Sequence, residues 1–452
     1  MEFRRLLAWY RSTFGQAVIG AAVLWAALPP LDLWPLAWVA PVWWLLLVRR
    51  DGLPGRRPYA ALWLAGFLFW LAAIHWLRLP HWATSIGWVA LSGYLAFYLP
   101  VFIGLTRIAV HQLRLSVIVA APVVWTGLEL ARAHLLTGFT MASLGHTQYR
   151  WIDLIQVSDL AGAYGVSFVV MFVAACLARM LPCGRQRRSV WPVLPAVVVL
   201  GVVLVYGHLR SSHPAVQPTA RIALIQGSID ITLKMDPTAR ERIHEHYLDL
   251  SRSAVEEYGP VDLVVWPETM FREMLVEFDG LARMPEAWRE ESPELRRYSQ
   301  ADFQRRLQAW AAHTRGVMAA LAGQLNAALL LGLDTQAFSA DGVRFYNSAA
   351  LVGRDGGLLG RYDKIHRVLF GEYVPFAEEF PWLQRFTPLP ISLSAGDRPV
   401  SFPVAGLRIA PNICYETVLP HVVRRQVREL AELGEEPDAL VLDELCDDAQ
   451  DR

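Results

Sequence analysis

Residue types that together perform nucleophilic acyl chemistry lie at the ends of apolar runs in the second half of the chain. Cys414 ends the run 407–414 and is followed at once by Tyr415 and Glu416. A thiol at such a strand-to-helix elbow is exposed near helix N-terminal N–H groups, which favour the thiolate. Glu268 follows another apolar run and supplies a carboxylate that can act as a base. A lone cysteine is more commonly a buried structural residue, so Cys414 alone does not establish a site.

Lysine is nearly absent from the chain. Lys234 and Lys364 are the two lysines among 42 basic residues, and arginine serves elsewhere. A lysine kept against this bias indicates a place that needs a compact ammonium able to lose its proton. Lys364 lies in the segment 361–367, and a second carboxylate, Glu372, follows it. Chance retention of either lysine stays open.

The other cysteines do not indicate a metal or redox site. Cys176, Cys183 and Cys446 are scattered, and the chain contains no C-x-x-C pair. Four scattered cysteines also do not form a disulfide framework.

The chain consists of two halves that differ in charge and in tryptophan content. Residues 1–210 contain 17 arginines, 6 acidic residues and 14 of the 18 tryptophans, whereas residues 211–452 contain 25 basic and 36 acidic residues. The net charges are therefore +11 and −11. This division excludes a single soluble globule, and the absence of a basic face on a soluble domain excludes a nucleic-acid binder. We expect a membrane domain over 1–210 and a catalytic domain over 211–452.

Seven apolar stretches predict a bundle of about seven helices, of which the first two are short and form a hairpin. Arginines cluster in every second loop, so the positive-inside rule places those loops and the N-terminus in the cytoplasm. Seven crossings then place residues 211–452 outside. The alternative is that the arginines only mark solvated helix ends. No cleavable signal peptide is evident. The stretches are 15–29, 34–48, 59–79, 86–109, 116–134, 163–181 and 190–207.

The second half contains short apolar runs that alternate with helical stretches at 237–257 and 303–324. Such runs are typical of strands buried on both faces, and their alternation with helices predicts an α/β layered domain. The cluster 353–357 predicts a hairpin turn, because no helix and no P-loop lysine follow it. The runs are 221–226, 262–266, 327–333, 347–352, 407–414 and 439–442.

Two segments lie outside these patterns. Residues 135–162 are too long for a turn and too apolar for a solvated loop, so they lie either along the outer membrane boundary or over the bundle as an ordered cover. Residues 271–318 are highly charged and contain two prolines, which predicts a surface insertion that ends in an amphipathic helix.

Four motifs together give a specific signal: WPE at 266–268, YDK-H at 362–366, GEYVPF at 371–376 and CYE at 414–416. They resemble the Glu-Lys-Cys site of the nitrilase superfamily. With the helical first half, the chain resembles the apolipoprotein N-acyltransferase family over about residues 15–443. The resemblance implies an αββα nitrilase-like domain on a multi-pass helical bundle, at the outer side of a bacterial inner membrane.

The resemblance also implies a reaction and a role for each residue. Cys414 would take an acyl chain from a phospholipid as a thioester and pass it to the α-amine of diacylglyceryl-cysteine in an apolipoprotein. Glu268 would be the general base, and Lys364 would stabilise the oxyanion. No metal or cofactor is needed, and a monomer is expected. The supporting residues would be Glu372, Tyr415, Glu416 and Lys234.

Two departures from the family pattern keep other functions open. Residues 138–141 read GFTM where the family tends to read GFPW, and only 38 residues follow Cys414. We therefore expect a C-terminus that lacks the family's last strands and eighth helix. The alternatives are an inactive, truncated member that acts as a membrane scaffold, a membrane-tethered amidase that uses water instead of an amine, and a transporter with Glu129 as its main buried ionisable group.

Overall fold

The structure, a computed structural model, shows a chain that divides into two compact units, one ending by residue 212 and one beginning at residue 220. It describes residues 9–79, 82–183, 188–212, 220–230, 233–234, 236–291, 295–377, 379–380, 382–383 and 392–443.

The first unit is a helical bundle. Its segments are apolar on nearly all sides, as in APVWWLLLV of the second helix, and a helix of this kind has no solvent-facing stripe. Leu45, Leu62, Phe102 and Val170 are fully buried where the helices meet. The helices are α1 (Thr13–Ala26), α2 (Ala40–Val48), α3 (Pro58–Ala73), α4 (Thr84–Leu95), α5 (Tyr98–Arg107), α6 (Val117–His134), α7 (Ile152–Ile155), α8 (Ser158–Met180) and α9 (Val193–Ser211).

A helix lies at each of the seven apolar stretches, but they differ in length. Three helical runs in the described part of the chain, Thr84–Gln112, α8 and α9, are long and apolar enough to cross a membrane. The first two stretches are short, as predicted. The third was predicted to continue to residue 79, but α3 ends at Ala73 and a separate 3₁₀ turn follows. In α6, the charged Glu129 and Arg132 interrupt the apolar composition.

The segment after α6 folds back onto the bundle. Glu129 Oε1 accepts hydrogen bonds from the Leu144 backbone N–H at 2.8 Å and from Trp125 Nε1 at 3.0 Å. Arg132 donates to Ser143 Oγ at 2.8 Å. Phe139 and Leu144 are buried. These contacts favour the covering loop over a segment along the membrane boundary, and they show that two ionisable residues are buried near the end of α6, where the sequence indicated only Glu129.

Cys176 and Cys183 of this unit form no disulfide bond within the described residues. Cys176 is buried in the bundle core, and Cys183 Sγ lies 3.6 Å from the Leu46 carbonyl oxygen. Cys446 lies outside the described residues.

The second unit contains two sheets. Its elements are β1 (Ile222–Leu224), α10 (Arg240–Tyr258), β2 (Leu263–Trp266), β3 (Leu275–Phe278), α11 (Glu286–Glu291), α12 (Gln300–Leu325), β4 (Ala328–Ser339), β5 (Gly342–Val352), β6 (Leu358–Asp363), β7 (Phe402–Val404), β8 (Leu407–Ile413), α13 (Pro420–Glu432) and β9 (Ala439–Asp443). In the first sheet, β2 and β3 both run parallel to β4, β1 pairs with β2, and β4, β5 and β6 are antiparallel neighbours. In the second sheet, β8 lies between antiparallel β7 and parallel β9.

The two sheets pack face to face between helices. Successive side chains of a strand point to opposite faces, so Leu330 and Leu351 meet Ile409 and Ile413 of the other sheet. The alternate residues of the first sheet pack against α10 and α12. On the outer face of the second sheet, Gln426 of α13 donates to the Pro411 carbonyl at 2.9 Å. This is the αββα arrangement that the resemblance implied.

The segment 271–318 is not a surface insertion. Its strand β3 joins the sheet beside β4, and Val276, Phe303 and Phe338 form a buried cluster where α12 covers it. The charged residues around this short strand obscured its apolar pattern in the sequence. The hairpin at 353–357 is confirmed, since it joins antiparallel β5 and β6.

Candidate active site

The predicted site residues lie where the packed sheet interface ends. Leu263 and Val265 of β2 face the second sheet, and Glu268 follows two residues beyond the strand. The link between β2 and β3 passes β4 at Gly332, whose carbonyl accepts the Phe271 N–H at 3.0 Å. Glu268 therefore lies beside a break in the strand pairing of β4, where polar side chains replace the apolar core.

Cys414 forms the elbow that the sequence predicted. It directly follows β8, begins the 3₁₀ turn Cys414–Val418 and has a φ of 51°. A non-glycine residue with this φ costs about 1 kcal/mol or more, and such strain is characteristic of functional sites. The Cys414 side chain forms a hydrogen bond with Glu268. The thiol and the predicted base are thus in direct contact across the two sheets.

Lys364 follows β6 and is almost completely buried, with 1% of its surface exposed. Its Nζ lies 2.7 Å from Glu372 Oε1 and 3.6 Å from Glu268 Oε1. Burial alone lowers the pKa of Lys364, but Glu268, Cys414 and Glu372 raise it above the ordinary lysine value. These neighbours therefore favour the protonated form of Lys364, against the expectation of an ammonium that is able to lose its proton. What the site requires is a compact cation in an enclosed space.

Glu268 is held as a carboxylate. Burial alone raises the pKa of Glu268, but Lys364, Lys234 and the hydrogen bonds from Asn347 and Cys414 lower it below the ordinary glutamate value. An ionised carboxylate hydrogen-bonded to a thiol and close to a fixed ammonium can accept the thiol proton at neutral pH.

Comparison with known proteins identifies the family of this chain. Residues 20–176 match the family model described as apolipoprotein N-acyltransferase N-terminal domain, and residues 221–433 match the carbon-nitrogen hydrolase model. An apolipoprotein N-acyltransferase of Geobacter metallireducens is 32% identical over 445 residues, which cover 95% of this chain and 78% of that protein. One of Pseudomonas aeruginosa is 30% identical, over 89% of this chain and 73% of the relative. The chain belongs to the apolipoprotein N-acyltransferase family.

Two of the solved structures that match this chain have low sequence identity to it. An amidase from Nesterenkonia sp. AN1 has 15% sequence identity and a TM-score of 0.29, covering 50% of this chain and 66% of the amidase. A carbon-nitrogen hydrolase from Helicobacter pylori G27 has 16% identity and a TM-score of 0.31, covering 50% of this chain and 59% of that one.

Among the predicted supporting residues of this apolipoprotein N-acyltransferase family member, Glu372 contacts Lys364. Its Oε1 contacts the ammonium, and its Oε2 accepts the Val368 backbone N–H at 2.9 Å. The charge of Lys234 acts on Glu268 and lowers the pKa of that carboxyl. Arg272 donates to the Lys234 carbonyl at 3.0 Å and thereby fixes the segment that carries this second lysine.

Glu416 forms hydrogen bonds that hold the turn at Cys414 in place. Its carboxylate is fully buried and accepts hydrogen bonds from Tyr362 Oη and from the backbone N–H groups of Ile365, His366 and Ile413, at 2.8 to 3.1 Å. It thus joins β6, the segment after Lys364 and the residue before Cys414. Tyr415 lies over the His366 ring, with centroids 6.3 Å apart.

Replacing Glu416 by glutamine is expected to destabilise the second unit. The new amide NH2 must face N–H or O–H donors, and each unsatisfied buried donor costs about 1–3 kcal/mol. We expect the apparent melting temperature to fall by roughly 5–10 °C for a unit of this size. Thermal unfolding followed by near-ultraviolet circular dichroism measures it. Glu429→Gln, on the partly exposed side of α13, is the control and should change little; equal shifts in both variants would contradict the anchoring role.

Two residues beside this site were not predicted as site residues from the sequence. Asn347 of β5 donates from Nδ2 to both Glu268 Oε1 and Glu372 Oε1. Asp334 of β4 lies directly opposite Asn347 in the strand register. The motif YNS at 346–348 was a signal for Asn347, whereas nothing in the sequence marks Asp334. Within the described residues, no group of three or more His, Cys, Asp or Glu side chains could hold a metal ion.

Proposed function

We propose that this chain transfers a fatty acyl chain from a phospholipid to the N-terminal α-amine of diacylglyceryl-cysteine in apolipoproteins, through a thioester on Cys414. Lipoprotein N-acylation is the activity for which its relatives are named. The observation that carries the finer mechanism is the contact of Glu268 with the Cys414 side chain and, at 3.6 Å, with the Lys364 ammonium.

The first half-reaction forms the thioester. Glu268 accepts the Sγ proton, and the Cys414 sulfur attacks the ester carbonyl carbon of the phospholipid. The negative charge that develops on the carbonyl oxygen is stabilised by the Lys364 ammonium and the Tyr415 backbone N–H. The C–O ester bond then breaks, and the departing lysophospholipid oxygen takes the proton from Glu268.

The second half-reaction transfers the acyl chain to nitrogen. The lipoprotein amine attacks the thioester carbonyl carbon, again with the oxyanion beside Lys364. The C–S bond breaks, and Glu268 carries a proton from the amine to the Cys414 sulfur. The two half-reactions use one site in turn, which is ping-pong covalent catalysis.

A membrane location suits both lipid substrates. The arginine pattern supports a bacterial inner membrane that holds the helical bundle of residues 1–210, with the catalytic domain, residues 211–452, on the outer side. A monomer suffices, because all the groups proposed to react belong to one chain.

The thioester is tested by intact mass spectrometry. The full chain is purified in detergent with phospholipid, and we expect an added fatty-acyl mass that hydroxylamine removes. Cys414→Ala should lack the adduct, whereas Cys183→Ala, which changes a half-buried cysteine of the bundle, should keep it. A folded wild-type protein that carries no adduct with phospholipid in excess would contradict the proposal and favour an inactive scaffold.

A further inference from the structure

Asp334 combines access to solvent with a place beside the candidate catalytic carboxylate. Asp334 lies four residues after Leu330 on β4. Because side chains alternate along a strand, it points to the same face of the sheet as Leu330, the face that packs against the second sheet. The side chain reaches solvent, but the protein around it desolvates the carboxylate and raises the pKa of Asp334. The charges of Lys234 and Arg272 oppose this rise, and those of Glu268 and Glu372 add to it. Its register partner is Asn347, and directly opposed side chains on one face have Cβ atoms about 5 Å apart. One side chain therefore separates Asp334 from Glu268.

That intervening side chain presents an unused acceptor. Asn347 is 4% exposed, and its Nδ2 is occupied by the two glutamates. Its Oδ1 is buried and has no hydrogen-bond donor among the described residues. A buried acceptor without a donor is energetically unfavourable, so this oxygen is suited to a ligand that brings N–H groups.

The proton balance of the second half-reaction requires a further acceptor. An α-amine has a pKa of about 8 and arrives at neutral pH mostly as an ammonium. When that ammonium becomes an amide, the C–N bond forms, the C–S bond breaks and two protons leave the nitrogen. One restores the thiol of Cys414 through Glu268. The other must reach solvent, and Glu268 is buried and can carry only one proton at a time.

We propose that Asp334, together with Asn347 Oδ1, binds the primary ammonium of the incoming lipoprotein and takes its first proton to solvent. The inference rests on the proposed function and extends it to a binding site for the acceptor. The carboxylate forms an ion pair with the ammonium, accepts one proton as the amine becomes nucleophilic, and releases that proton to water. Lys234 and Arg272 balance the negative charge of the acidic residues while no amine is bound.

The test separates the two half-reactions with Asp334→Asn in the full chain. Thioester formation from phospholipid is followed by intact mass, and its transfer to a synthetic diacylglyceryl-cysteinyl peptide is followed in a single turnover. We expect thioester formation within about twofold of wild type, and transfer at pH 7 slowed on the order of 10²-fold, the usual effect of losing a proton-transfer group. The deficit should narrow at pH 9, where the amine arrives without its extra proton.

Asp341→Asn, an exposed carboxylate in the turn after β4, is the matched control and should leave both steps unchanged. An equal loss in both half-reactions, or a deficit that does not depend on pH, would overturn the inference. Slowed thioester formation with phosphatidylethanolamine but not with phosphatidylglycerol would assign the ammonium to the donor headgroup and also overturn it. If wild type forms no thioester, the proposed function itself fails.

Discussion

Lys364→Met is expected to lower the rate of thioester formation by at least about 10³-fold. Two effects add. The oxyanion loses its nearest cation, and Glu268 and Glu372 lose the ammonium that both contact. Removal of one partner from a buried ion pair leaves an uncompensated charge worth about 3–5 kcal/mol. The pKa of Glu268 should therefore rise, so that the base becomes protonated at neutral pH.

The pH dependence distinguishes this effect from simple loss of structure. The wild-type pKa of Glu268 lies below the ordinary value, so its carboxylate is available throughout the neutral range. In Lys364→Met the residual rate should climb as the pH rises through the elevated pKa. Lys234→Met is the matched control, since it removes the other lysine, which acts on Glu268 without an ion-pair contact. If Lys234→Met slowed thioester formation as much as Lys364→Met does, the rate would depend on the net positive charge near Glu268 and not on the ion-pair contact.

Glu268→Gln is expected to slow thioester formation by about 10²–10⁴-fold while leaving the fold intact. Glutamine has the same shape, and its carbonyl oxygen can still accept the Asn347 hydrogen bond. What it cannot do is accept the Cys414 proton. Alkylation of Cys414 by iodoacetamide should slow in parallel, because the thiolate is the nucleophile in both reactions.

The control for Glu268→Gln is Glu273→Gln, a partly exposed carboxylate in the same link between strands. It should retain the wild-type rates of alkylation and thioester formation. Wild-type thioester formation by Glu268→Gln would exclude this residue as the base.

Much of the α/β unit follows from apolar runs that are continuous in sequence. The runs at 262–266 and 407–414 become β2 and β8 because both faces of each strand are covered. β7 could not be found in this way, since Pro403 interrupts a three-residue edge strand. β4 continues past Leu333 to Ser339, although Asp334 looks like an end signal. Gln336 and Phe338 are buried by contacts that depend on the distant α12 and β3.

The site shows the same division between local and long-range information. Glu268, Lys364 and Cys414 could be predicted because each lies in a short motif at the end of its own strand. Asn347 and Asp334 lie within strands, and their importance depends on which residue they oppose across β4 and β5. A shift of one residue in that register would turn both side chains to the helix-covered face.

The proposed reacting groups are divided between two sheets that pack together mainly through apolar side chains such as Leu330, Leu351 and Ile413. Glu268 and Lys364 follow strands of the first sheet, and Cys414 follows a strand of the second. A chain that has formed both sheets without docking them would therefore show native-like secondary structure and an ordinary, unactivated thiol. During gradual denaturation, acyl transfer should disappear before the far-ultraviolet signal does. Nucleophilicity is thus a property of the assembled tertiary fold, so under the proposed mechanism an immature chain would not deacylate phospholipid unproductively.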